Sequence, residues 1–102
     1  MEKREFAQRL SELRIQKGIS ARDMSLSLGQ GESYINNVEN CQNFPSMATF
    51  FAICEYLDIT PREFFDTEIR NPSQAQRLLE LCKHLPSDQV EHLITLATDL
   101  QK

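Results

Sequence analysis

The stretch Ala21-Arg-Asp-Met-Ser-Leu-Ser-Leu-Gly-Gln-Gly-Glu-Ser-Tyr-Ile-Asn-Asn-Val-Glu-Asn40 decides the fold. Met24 and Leu28 lie one helical turn apart, as do Ile35 and Val38, so each half carries an apolar stripe at helical spacing. Gly29 between them supplies the left-handed backbone that ends a helix sharply. Ser25 sits one turn before Gly29, where a second helix crossing at a steep angle leaves little room for a side chain. The reading is two short helices joined by a tight turn, the second beginning after Gly31.

The flanks extend the pattern. Upstream, Lys3 to Lys17 is an amphipathic helix with Phe6, Leu10 and Leu13 on one face, and Gly18 ends it. Ser20 is placed to cap the next helix, with Asp23 at its third position favouring the positive end of the dipole. Downstream, Asn40 is expected to close the turn in the left-handed region. Pro45-Ser46 announces a fourth helix capped by Ser46, with Phe50, Phe51, Cys54 and Leu57 inside. Thr60-Pro61-Arg62-Glu63 is a capping box with proline at the first helical position. Phe64 and Phe65 are expected to close the core behind it.

The central stretch has helix-turn-helix spacing. Together with Leu13-Arg14-x-x-Lys17-Gly18-Ile19-Ser20, Val38-Glu39-Asn40, Pro45-Ser46 and Ile59-Thr60-Pro61, in that order, it resembles the DNA-binding domain of Xre/Cro-type and lambdoid phage repressors. The resemblance covers roughly residues 5 to 66. It implies a five-helix bundle and a sequence-specific DNA-binding transcriptional regulator, a repressor of phage or mobile-element type. It also implies an ion pair between Arg14 and Glu39 holding the first and third helices together. Carried over by position, the residues reaching base edges are Glu32, Ser33 and Asn37, flanked by Gln30 and Asn36. Asparagine pairs bidentately with adenine, serine serves several bases, and a carboxylate accepts from cytosine. Glu32 equally reads as a complement to the helix dipole. The phosphate candidates are Arg22, Tyr34, Asn40, Gln42 and Asn43. Tyr34 also reads as cover for the core edge. Arg22 stands beside Ala21, where the family often has a phosphate-touching glutamine.

Beyond the resemblance, Thr67 to Arg70 reads as a linker and Asn71-Pro72-Ser73-Gln74 as another helix start. Ala75, Leu78, Leu79 and Cys82 form a stripe widened by Leu81 and Leu85. After Pro86-Ser87 a last helix presents Val90, Leu93, Ile94, Ala97 and Leu100, with Leu96 beside them. The fold class is therefore all-α: a five-helix lambda-repressor-like bundle followed by a C-terminal two-helix extension. The domains are residues 1–67, which bind DNA, and 71–102, a helical hairpin. Stripes this broad need a partner surface. The expectation is a homodimer through residues 72–100, whose two-fold axis matches paired half-sites in double-stranded DNA. Packing within one chain is the alternative.

Composition sets the outer limits. A chain of 102 residues, 40% apolar and 25% charged, holds one modest domain plus an appendage. No apolar run approaches a membrane span and the start lacks the apolar core of a signal peptide, so the expected location is the cytoplasm. Three widely spaced cysteines argue against a disulfide framework, and Cys82 with His84 alone builds no metal site. No internal repeat is read from the chain. No catalytic spacing, phosphate-binding glycine loop, cofactor motif or small-molecule pocket is evident, so an enzyme is not expected. The net charge of -4 is unusual for a DNA binder. Residues 1–40 are neutral, so the deficit lies wholly in residues 41–102. With no Lys or Arg on the recognition helix, this leaves a second reading: a degenerate helix-turn-helix interaction module, adaptor or antitoxin-like, with little DNA affinity.

Overall fold

The computed structural model describes residues 1–68 and 70–101, and every regular element among them is helical. The order is α1 (Lys3–Gln16), α2 (Ala21–Ser27), α3 (Tyr34–Glu39), α4 (Met47–Tyr56), α5 (Pro61–Phe65), α6 (Pro72–Lys83) and α7 (Ser87–Leu100). Ile69, within the expected linker, lies outside the described residues, as does Lys102.

Capping fixes where the helices begin. The Ser20 hydroxyl accepts from the Asp23 N–H at 3.0 Å and the Ser46 hydroxyl from Thr49 at 3.2 Å. Asn71 Oδ1 accepts from Gln74 at 3.2 Å. Thr60 and Glu63 bond reciprocally at 3.1 and 2.9 Å, a closed capping box ahead of α5. Each bond satisfies a backbone donor that the first turn of a helix leaves unpaired.

The ends share one device. After α1, α2, α3 and α4 a left-handed residue reverses the chain: Gly18 (φ 68°), Gly29 (φ 74°), Cys41 (φ 62°) and Asp58 (φ 56°). At each, two backbone bonds return to the last turn, as when Gln30 donates to the Ser25 carbonyl and Gly29 to that of Leu26. The expectation that Asn40 takes the left-handed position is thus corrected. Asn40 has φ −93°, and Cys41 makes the reversal. The backbone bonds from Cys41 to Val38 and from Gln42 to Asn37 close the turn and offset the strain of a side chain there.

The core of the bundle combines Leu10, Leu13, Met24, Ile35, Val38, Ile53, Leu57 and a ring cluster. Phe64 is fully buried, its ring centroid 4.9 Å from Phe6 and 5.1 Å from Phe50. Phe51 and Phe65 depart from expectation, remaining 52% and 49% exposed while their rings flank Phe50. The short α5 turns only one of two adjacent phenylalanines inward, because successive helical residues point about 100° apart.

Cys54 is buried in this core, and desolvation pushes its thiol up to about 11 from 9.0. Unfolding lets the thiol ionise at a lower pH than the folded state does. Stability is therefore expected to fall as pH rises from about 9 to about 11. In the same range a thiol reagent should label Cys41 and Cys82, both half-buried, well before Cys54. Equal labelling rates would contradict this burial.

α6 is anchored at its start, where Pro72 is buried and the Gln16 amide donates to the Arg70 carbonyl. Beyond that point the chain projects outward: no residue of α7 is buried. The radius of gyration is 16.6 Å, against about 13 Å for a compact chain of this length.

Candidate nucleic-acid interface

Two helices and the turn between them frame the candidate surface, and Ser25 locks their crossing. Its hydroxyl, fully buried, donates to the Ala21 carbonyl at 2.7 Å and accepts from the Ile35 N–H at 2.9 Å. The N–H so satisfied belongs to the first turn of α3, one of the donors a helix start leaves without a partner. Met24, Ile35 and Val38 pack beneath this crossing, so the opposite side of α3 faces outward.

The outward side carries the residues singled out from sequence, with one correction of frame. α3 begins at Tyr34, not directly after Gly31. Glu32 and Ser33 form a turn closed by the Tyr34 N–H on the Gly31 carbonyl at 3.1 Å. Glu32, Ser33 and Asn36 are exposed, while Gln30 and Asn37 are half-buried. Asn40, Gln42 and Asn43 are exposed along the loop that follows. The Asn37 carbonyl accepts the Gln42 N–H, tying the start of that loop to α3. Tyr34 is half-buried and packs against the core cluster.

Electrostatics distinguishes the arginines. Arg14 meets Glu39 in a two-pronged pair, Nε to Oε2 at 2.7 Å and Nη2 to Oε1 at 3.0 Å, and its third nitrogen donates to the Ile19 carbonyl. Both side chains are at most 15% exposed. The hydrogen bond to Glu39 raises the Arg14 pKa against the opposing effect of burial, so the guanidinium stays charged. Arg22 and Glu32, read as phosphate and base contacts respectively, form an exposed ion pair at 3.2 Å across the turn. A pair this exposed contributes little to stability. It does place a carboxylate beside the cation that would face phosphate.

Arg9 is a finding that sequence reading missed. Only 2% exposed, it donates to the carbonyls of Phe64, Glu63 and Asp66 at 2.7 to 2.9 Å. It thereby satisfies the orphan acceptors at the end of α5 and pins that helix to α1. Burial lowers its pKa, opposed by nearby Glu12 and Asp66. A basic residue on a charged helix looks solvated in sequence, and its partners are more than fifty positions away. Arg9 and Arg14 are therefore structural, and Lys3, Arg4 and Lys17 are exposed cations of α1 and its end.

Among the described residues no three groups are placed to hold a metal ion, and no helix is long and apolar enough to cross a membrane.

A family profile described as "Helix-turn-helix domain" matches residues 7–68. The chain belongs to the helix-turn-helix family of the Xre/Cro type, and is a DNA-binding transcriptional regulator of that class. Among solved structures it is similar to the restriction-modification controller protein C.AhdI from Aeromonas hydrophila, with 38% identity and a TM-score of 0.58. The match covers 62% of this chain and 91% of that one. No curated protein matches the chain.

Proposed function

We propose that the protein is a sequence-specific transcriptional controller that binds an operator in its own promoter region and represses by occupying it. The gene set is of the mobile-element kind, with a restriction-modification system as the favoured context. The observation that carries this reading is the locked α2–α3 crossing with an unbroken polar outer side. The likeness to a restriction-modification controller supports the context. Glu32, Ser33 and Asn37 read base edges, with Gln30 and Asn36 flanking them. Arg22, Tyr34, Asn40, Gln42 and Asn43 hold the sugar-phosphate backbone. Residues 1–67 form the DNA-binding domain. Residues 71–102 are a helical hairpin that joins two copies, so that a two-fold protein meets a two-fold operator in the cytoplasm.

One observation favours a second reading. Arg9 and Arg14 are consumed by the fold, Arg22 is paired with Glu32, and α3 carries no Lys or Arg. A protein-interaction module that kept the bundle and lost DNA affinity would have such a surface.

The double change Ser33→Ala with Asn37→Ala tests the reading. Affinity for a duplex of the promoter region is expected to fall about 10- to 100-fold, since one good base contact is worth roughly 1–3 kcal/mol. The melting temperature should hold, because Ser33 makes no capping bond. Unchanged affinity would show that base reading lies elsewhere.

A further inference from the structure

The arm formed by α6 and α7 lies beyond the helix-turn-helix match, which ends at residue 68. Its two helices carry one pattern twice. Gln74-Ala-Gln-Arg-Leu-Leu-Glu-Leu-Cys-Lys-His-Leu85 aligns without gaps on Gln89-Val-Glu-His-Leu-Ile-Thr-Leu-Ala-Thr-Asp-Leu100, fifteen residues on. In heptad terms, with Ala75 and Val90 at position a, both helices are apolar at a, d, e and g.

That width is the informative feature. A two-helix seam needs only a and d. The half-buried apolar residues of the arm, Ala75, Cys82, Val90 and Leu93, are all at such positions. The e and g side chains remain open: Leu79 and Leu81 of α6 are 57% and 63% exposed, and Ile94 and Leu96 of α7 are 50% and 56% exposed, and the d residues Leu78, Leu85 and Leu100 are open as well. One hairpin therefore presents a second apolar side on each of its helices, the surface of half a four-helix bundle. The area agrees. The chain exposes 7282 Å², whereas a compact monomer of its mass exposes about 5900 Å². The excess, on the order of 1400 Å², compares with the roughly 800 Å² per partner that a standard interface buries.

Charge selects the arrangement. Arg77 and Lys83 against Glu80 leave α6 at +1, while Asp88, Glu91 and Asp99 give α7 a charge of −3. In a ring ordered α6, α7, α6, α7 from two copies, every neighbour has the opposite sign and like helices lie on the diagonals. The other order sets the acidic α7 against its own copy. We propose that the occupant of the exposed arm is the arm of a second copy, in a four-helix bundle where α6 of each protomer lies against α7 of its partner. This rests on the reading of residues 71–102 as the dimerisation element and fixes how it works.

Cross-linking tests the arrangement without DNA, so its result is independent of operator binding. In a chain with Cys41→Ser and Cys82→Ser, leaving the buried Cys54, one preparation carries Leu81→Cys and another Leu96→Cys. The two are mixed, mildly oxidised and run unreduced, and the parent chain is sized by light scattering. The expected result is a dimeric parent and a mixed covalent dimer at least about fivefold above either self-linked one. Dominant self-linking of the Leu96→Cys chain would overturn the helix order while leaving the dimer. A monomeric parent at tens of micromolar would overturn both.

Discussion

Replacing Glu39 with alanine is expected to destabilise the protein by about 3–5 kcal/mol, because it strands a mostly buried guanidinium. Arg14 would keep only the Ile19 carbonyl as a partner. Set against a total stability of about 5–15 kcal/mol, the loss is a large share. For a domain of this size it corresponds to a fall in melting temperature of more than about 10 °C. DNA binding should fail in parallel on warming, since the pair joins α1 to the end of α3. Pairing Glu39→Leu with Arg14→Met removes both charges and should cost well under the sum of the single changes. Denaturant titration of Glu39→Ala, of the two single changes and of their combination measures this. A loss below about 1 kcal/mol for Glu39→Ala would mean that water solvates the abandoned arginine.

Phe64→Ala is expected to cost about 3–5 kcal/mol through a different cause, the cavity left when a fully buried ring is deleted. The rings of Phe6 and Phe50 pack on Phe64 from two sides, so the void cannot collapse without moving both α1 and α4. The neighbouring Phe65→Ala should cost far less, because that ring is half exposed. The pair of variants therefore reports which of two adjacent phenylalanines the short α5 turns inward. Equal losses would contradict the described packing.

The contrast between these two phenylalanines marks how far the sequence could be read. Helical spacing, caps and glycine positions are local signals, and they located the helix starts at Ser20, Ser46, Thr60 and Asn71. Local signals do not say which side of a five-residue helix meets the core, so from sequence Phe64 and Phe65 read alike as core. For the left-handed residue after α3 the sequence points to Asn40, because asparagine tolerates that geometry better than cysteine. The backbone bonds from Cys41 and Gln42 outweigh that preference. Arg9 and the Arg22–Glu32 pair were illegible for another reason: each depends on residues brought together only by the tertiary fold. The repeat between α6 and α7 is faint in the sequence, since four identities in twelve positions become evident only when the two helices are aligned on their exposed sides.

The candidate DNA surface was legible in outline. Its polar residues follow from the positions of Ile35 and Val38, which must face inward. What sequence could not supply was the turn at Glu32 and Ser33, which sets these two side chains ahead of α3 rather than on its first turn.

The central claim is specific operator binding, and it is tested most directly by titrating the protein onto a labelled duplex of its own promoter region. The salt concentration is raised stepwise in the presence of competitor DNA. The expected result is a saturable, competitor-resistant complex whose affinity falls steeply with salt, the slope counting the phosphates neutralised. No complex even at low salt would contradict the account and leave a helix-turn-helix bundle that recognises another protein.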